Sequence, residues 1–329
     1  MTIPSSRKKS PLNCSNPSLF LSLVDYRNNY FTSDDPKRII EFYNSFENRD
    51  QLIQWMKERP KGVANIREVD GCKDIIVVIP TADFNGKYAR ECREDIFKGL
   101  HIIFVESGDV PDPYFNYAHN CNVGIKKAIE YIPKWVVVSN DDMLAADSTE
   151  VLTKQLRELD YNEIDSVFLN PPSDYYSVPM VVSKIRTIRN LIYFLLQGVR
   201  GKMRFFEKKF EVRYVGANKD SILARLLYKD IFEFTNIISF GIFSINAIRS
   251  MMSKYGYVYD ETFINNSEDG DLSIRLALNK KENHLLKFKI NPGKGGTLGL
   301  GTPRLYRDFA GAAYFSKKIE NYLSEEQYP

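Results

Sequence analysis

Between Asp74 and Leu169 the chain alternates short, continuously apolar runs with longer stretches of helical periodicity. The first run, DIIVVIP from Asp74 to Pro80, closes with Pro80 and Thr81. The second, Ile102 to Val105, runs into Glu106, Ser107, Gly108 and Asp109, and the third, Trp135 to Val138, into Asn140, Asp141 and Asp142. A polar, partly helical stretch to Lys98 separates the first two. A turn and helix over Asn116–Tyr131, with Ile125, Ala128 and Ile129 on one face, separates the next two. A helix at Ser148–Leu159 and a strand at Ser166–Leu169 continue the pattern. Strands apolar at every position and separated by helices predict a mostly parallel α/β sheet covered on both faces. Ligands of such sheets bind beyond the carboxyl ends of the strands, where these polar residues stand.

The flanks read differently. MTIPSSRKKSPLNCSNPS is basic and rich in Ser and Pro, without an adjoining apolar segment of signal-peptide type, and is expected to be a disordered tail. Asp34 and Asp35 followed by Pro36 predict a helix start ahead of RIIEFYNSF. DQLIQWMKERP predicts a second helix, closed by Pro60 and Gly62. Three regions result: a tail and helical extension over 1–70, a first half over 71–147, and a second half over 148–329. The second half carries an insertion at about 171–229. Within it, Lys184 to Arg213 places nine Lys or Arg and two Glu around an apolar centre, Leu191–Leu196. That composition is read as a helical insertion, either an interfacial helix pair resting on an anionic membrane or a substrate lid or dimerising helix with a solvated basic face. After it come IISFGIFSINAIRSMMSKYG, an acid-rich loop with an amphipathic helix (YDETFINNSEDGDLSIRLAL), the strand HLLKFKI, the glycine-rich NPGKGGTLGLGTPR, and a last helix.

Composition narrows the function classes. Hydrophobic residues make up 43% and charged residues 26%, ordinary for a globular protein, and a net charge of +3 gives no case for nucleic-acid binding. Four widely spaced cysteines suggest neither a zinc knuckle nor a disulfide framework, so a reducing, cytoplasmic setting is expected, with any membrane contact peripheral at the inner face. GKGGTLGLGTPR does not satisfy the phosphate-loop pattern G-x-x-x-x-G-K-[ST].

Two acidic clusters carry the chemistry. A carboxylate pair at the end of a buried strand is costly unless a charge faces it. For Asp141 and Asp142 that charge is read as a divalent cation with oxygen ligands, bearing a phosphate; the plain alternative is that Asn140 and Asp141 cap a helix starting near Leu144. Glu268, Asp269 and Asp271 open a helix, where its dipole favours carboxylates, but capping accounts for one acid rather than three followed by Arg275.

Four pieces stand in order: VVIPT, the strand ending in Glu106, NCNVGIKKA leading into SNDDM, and SEDGDLSIRL. Over about Asp74 to Arg275 this order resembles the family 2 glycosyltransferases, of the GT-A nucleotide-diphospho-sugar transferase fold. The resemblance implies a metal-dependent, inverting transfer of a sugar from a UDP-, GDP- or dTDP-linked donor to a hydroxyl of a glycan, lipid-linked or protein acceptor. It places Pro80, Thr81 and Asp83 beside the nucleotide and Glu106 where the family has an Asp that binds the base. Asn122 and Gly124 would belong to the helix under the diphosphate, and Asp141 would lie beside the ribose or the metal. Asp142, with Asn140, would hold Mg²⁺ or Mn²⁺. Asp269 would be the general base, with Glu268 in reserve and Asp271 anchoring the helix. Cys121 stands where the family often has Arg, which leaves phosphate contact to His119, Lys126 or Lys127. In place of a metal-binding His, Asn291 or a water would serve, with Lys294, Thr297 and Arg304 as contacts of a closing loop and His284 structural. Two rivals stay open. One is a sugar-phosphate nucleotidyltransferase, whose glycine-rich loop would follow the first strand where PTADFNGKYAR stands. The other is a non-catalytic nucleotide- or sugar-binding protein of the same fold.

Overall fold

A computed structural model describes residues 25–108, 112–145, 147–169, 177–184, 204–219, 231–279, 282–292 and 302–324. After a helical segment over 25–31, α1 (Pro36–Asn44) starts as its pattern predicts: the Asp35 carboxylate accepts from the Lys37 N–H at 2.9 Å, with Pro36 in the first turn. Helix α2 (Arg49–Glu58) is capped by Asn48, whose side chain accepts from the Gln51 N–H. There follow β1 (Asn65–Val69), β2 (Cys72–Thr81), α3 (Lys87–Glu91) running into a π-helical turn to Ile96, β3 (Leu100–Glu106), α4 (Tyr117–Ile129), β4 (Trp135–Ser139) and β5 (Met143–Ala145). Next are α5 (Thr149–Glu158), β6 (Ile164–Leu169), β7 (Ser177–Lys184), α6 (Arg204–Lys209), β8 (Tyr214–Asn218), β9 (Ile231–Ile237) and β10 (Phe240–Ser244). The chain finishes with α7 (Ile245–Tyr255), α8 (Glu268–Leu278), β11 (Glu282–Leu286), β12 (Ile290–Pro292) and α9 (Thr302–Ser324).

The protein is α/β. Its main sheet has seven strands in the order β1-β3-β2-β4-β10-β6-β11. The pairs β3/β2, β2/β4 and β6/β11 are parallel, whereas β1/β3, β4/β10 and β10/β6 are antiparallel. The expected mostly parallel sheet is therefore corrected to a mixed one. The physical reason lies in β10, FGIFS, which is buried at every position although both its neighbours run against it. An apolar run reports burial on two faces, not strand direction. Edge strand β1 is largely exposed and lacks such a run.

The insertion also departs from the helical expectation. Its described residues include β7 and β8, which join β9 in a second, wholly antiparallel three-stranded sheet of order β8-β7-β9. The apolar centre Leu191–Leu196 lies outside the described residues. Among those described, no helix is long and apolar enough to cross a membrane.

Core residues fill both faces of the main sheet, Ile75, Val77, Ile102 and Trp135 on one and Ile76, Val78, Ile103 and Val136 on the other. A third, aromatic cluster joins the N-terminal helices to the C-terminal one: Phe42, Tyr43, Phe46 and Trp55 pack with Phe206, Phe210, Phe309 and Tyr314. Arg49 pairs with both Glu320 carboxylate oxygens, at 3.1 and 2.9 Å. The helical extension, expected to stand ahead of the main domain, is thus built into the second half of the chain.

Candidate functional site

The carboxyl ends of β2, β3 and β4 lie side by side, with Thr81 in register with Glu106. Pro80 and Thr81 end β2, and the Thr81 hydroxyl donates to Asp141 Oδ2 at 2.7 Å. Asp83 shapes the turn beyond: its carboxylate accepts from the Asn85 N–H at 2.8 Å. Glu106 is committed on both oxygens, accepting from the Phe84 N–H at 3.0 Å and from Arg67 Nε at 3.1 Å. It clamps the 82–86 loop against β1.

No helix starts at Leu144. After Ser139 the chain turns through Asn140, Asp141 and Asp142 into β5, which pairs with β12, and α5 begins only at Thr149. Capping therefore does not explain these acids. Asp141 is buried, and burial, reinforced by the negative charge of Asp142, pushes its carboxyl up to about 6 against the Thr81 hydrogen bond. The Asp142 side chain forms no hydrogen bond or ion pair with a described residue.

Asn122 and Gly124 act behind the strand ends. The Asn122 amide donates to Tyr259 O at 2.7 Å and to Glu261 Oε1 at 2.9 Å, while its oxygen accepts from the Tyr259 N–H at 3.0 Å. That exchange ties α4 to the loop leading into α8. His119 joins the same knot, its Nδ1 2.9 Å from Glu261 Oε2. A Cβ on Gly124 would fall 2.3 Å from Val78 Cγ1 and 2.9 Å from Val105 Cγ2, so glycine lets α4 lie close on β2 and β3.

The acid-rich helix start faces a cavity of about 420 Å³, lined by Asn140, Glu268 and Asp269 together with residues of β9, the β9–β10 turn and α9. Ser239, in that turn, connects the two acidic clusters. Its carbonyl accepts from the Asn140 N–H at 2.9 Å, and its own N–H donates to the Asp269 carboxylate. Ser239, Asn265 and Ser267 have φ of 59°, 55° and 71°, and all three line the cavity. Left-handed backbone at non-glycine residues costs on the order of 1 kcal/mol each and collects at functional sites. Burial raises both Glu268 and Asp269 well above the usual carboxyl range; the charge of Asp269 adds to the rise of Glu268, and the Ser239 N–H moderates that of Asp269. Glu268 Oε2 is buried without a hydrogen-bond partner. Asp271, one helical turn from Glu268, is instead fully engaged by Arg275, Tyr322 and Lys318.

The structure thus brings Asn140, Glu268 and Asp269 to one cavity. Pro80, Thr81, Asp83, Glu106, Asp141 and Asp142 stand at the strand ends next to it, and Asn122 and Gly124 support them from α4. Among the proposed loop contacts Arg304 lines the cavity, while Lys294 and Thr297 lie outside the described residues. Sequence reasoning missed Asn236, Ser239 and Phe315. The one available signal was Ser239, a small polar residue breaking the run IISFGIF.

Among the described residues no group of three or more His, Cys, Asp or Glu side chains is placed to hold a metal alone. The donor set at Asp142 suits an ion such as Mg²⁺ that takes one or two carboxylates and completes its shell with phosphate oxygens and water. No protein-family model matches the chain, and no curated protein matches it.

Proposed function

We propose that this protein is a metal-dependent inverting glycosyltransferase of GT-A type, moving a sugar from a nucleotide-diphospho-sugar to an acceptor hydroxyl. One observation carries the reading. Asn140 of the N-D-D segment closing β4 and the E-D pair opening α8, about 130 residues apart in sequence, line one cavity and are joined through Ser239, with Asp141, Glu268 and Asp269 all raised by burial above the ordinary carboxyl range.

In this reading the donor diphosphate lies over the ends of β2 and β4. Asp142 would hold the Mg²⁺ or Mn²⁺, which supplies Lewis-acid stabilisation of the departing diphosphate. Asp141, locked by Thr81, fixes the turn that presents Asp142. Asp269 takes the proton of the acceptor hydroxyl as its oxygen bonds to the anomeric carbon. The bond from that carbon to the diphosphate oxygen breaks on the opposite face, and its electron pair leaves with the nucleotide. A carboxylate raised toward neutrality suits a base working near pH 7. In this reading Asp269, whose carboxylate accepts from the Ser239 N–H, serves as the base, and its charge adds to the burial that raises Glu268.

Calorimetric titration of UDP, GDP and dTDP, with and without Mn²⁺, tests this on wild type and Asp142→Ala. The expected result is binding of one nucleotide that needs both the metal and Asp142. Metal-independent binding, or none, would remove the transferase reading.

A further inference from the structure

Strands β9 and β10 belong to different sheets, and only Ile238 and Ser239 separate them. The turn they make is fixed on both sides. On the β9 side, the Ile237 N–H donates to Ser273 Oγ at 2.9 Å and that hydroxyl donates to Asp269 O at 2.7 Å, which ties the strand end to the first turn of α8. On the β10 side, Phe240 stands opposite Ser139 in the antiparallel ladder with β4, so Ser239 falls opposite Asn140. Between these anchors the Phe240 N–H donates back to Ile238 O at 2.6 Å, and Ser239 at the apex has φ of 59°. A three-residue turn of this hand is the rare, strained γ form.

Glycine would adopt this φ at no steric cost; serine does not. The Ser239 hydroxyl makes no hydrogen bond with a described residue that would offset the strain. What holds the residue is its backbone, through the N–H given to the Asp269 carboxylate and the carbonyl that accepts from the Asn140 N–H at 2.9 Å. A return to negative φ would swing both groups away at once. Loss of either bond therefore tips Ser239 toward its unstrained conformation and takes the other bond with it. Strain that only the surrounding contacts maintain is the mark of a bistable element.

We propose that Ser239 is a positioning residue, a two-position joint that makes the placement of the Asp269 carboxylate and of the Asn140–Asp142 turn depend on each other. The joint itself needs no ligand. Its purpose rests on the transferase reading: a donor held at the N-D-D turn steadies Asp269 for the acceptor hydroxyl, so the base is set only when the donor is loaded.

Amide hydrogen exchange on the full chain, without nucleotide or metal, tests the joint from both ends. In Asp269→Ala the Asn140 amide, whose own acceptor Ser239 O is untouched, should exchange about tenfold faster, the size of one lost hydrogen bond. Reciprocally, Thr81→Val, which frees Asp141 and with it the N-D-D turn, should speed exchange of the Ser239 amide although its acceptor Asp269 remains. The second variant keeps the test valid if Asp269→Ala fails to fold. In a Ser239→Gly background both cross-effects should vanish, because glycine keeps the turn without strain; a merely structural turn would transmit them unchanged. A missing cross-effect in either folded variant, or equal cross-effects in the Ser239→Gly background, overturns the joint. Failure of every nucleotide to bind discards the transferase and leaves the joint to be decided by exchange alone.

Discussion

Helix α8 carries two sets of buried acids that differ in how their charge is met. Asp271, with Asp260 from the preceding loop, sits in a closed network. Arg275 Nε reaches Asp271 at 2.9 Å, and Lys318 reaches Asp260 at 2.7 Å and Asp271 at 3.2 Å. Tyr314 and Tyr322 donate their hydroxyls to Asp260 and Asp271. Burial alone would raise Asp260, but the Lys318 ammonium outweighs it and holds the carboxyl at about 2. Two cations face two anions, and no capacity is left for a ligand. One turn earlier, Glu268 is buried and Asp269 half-buried, and there burial drives both upward, the Arg304 charge offsetting the rise of Glu268 only in part. Asp141, across Ser239, shares their condition. Burial of an acid is therefore no guide to its role; compensation is. The first set holds the fold and the second is held ready by it.

The largest way to break this contrast is Asp271→Ala. It leaves Arg275, with no exposed side-chain surface, without its anion and with only the Val258 carbonyl, Met251 Sδ and the Tyr255 and Tyr257 rings around its charge. Removing one partner of a buried pair costs about 3–5 kcal/mol, so urea denaturation should show a midpoint far below that of any variant at the cavity.

The second set should respond in the opposite direction. Asp141→Asn keeps an oxygen for the Thr81 hydroxyl and removes a charge whose folded pKa lies about two units above its ordinary value. It should stabilise the protein at pH 7 by up to about 3 kcal/mol. Because folding raises Asp141, Glu268 and Asp269, their contribution is fully present below the ordinary carboxyl range and is lost as pH rises through the folded values. Thermal unfolding of wild type should accordingly fall from about pH 4 toward pH 8, and Asp141→Asn should flatten the part of that slope near pH 6. A slope of the reverse sign would mean that a cation compensates these acids after all.

The smallest effect belongs to the rim. Arg67, more than half exposed, pairs with Glu106. Arg67→Ala should change unfolding free energy by less than about 1 kcal/mol. Its more useful readout is nucleotide affinity, because Glu106 would retain only the Phe84 N–H.

How much of this was legible beforehand follows from the range of each interaction. Wherever neighbouring residues settle the outcome, the sequence was sufficient. The Asp35–Pro36 helix start, the apolar strands DIIVVIP and WVVV, the α/β class and the placing of acids at strand and helix ends all arise from propensity, capping and period within a few residues. Outcomes set by distant partners were not legible. Strand direction in the mixed sheet was decided by the insertion of β10 between β4 and β6. The insertion's second sheet joins strands that long connections separate. Asn122, read as a donor-site residue, spends its amide on Tyr259 and Glu261, more than 130 positions away. Within SEDGD, composition treats the three acids alike; only Lys318, Arg275 and Tyr322, brought in by α9 and by α8 itself, neutralise Asp271 and leave Glu268 and Asp269 facing the cavity. Local physics chose which residues are helical, extended or charged. Which charges meet a partner is a property of the assembled fold, because desolvation and pairing depend on atoms that only folding brings within a few ångströms.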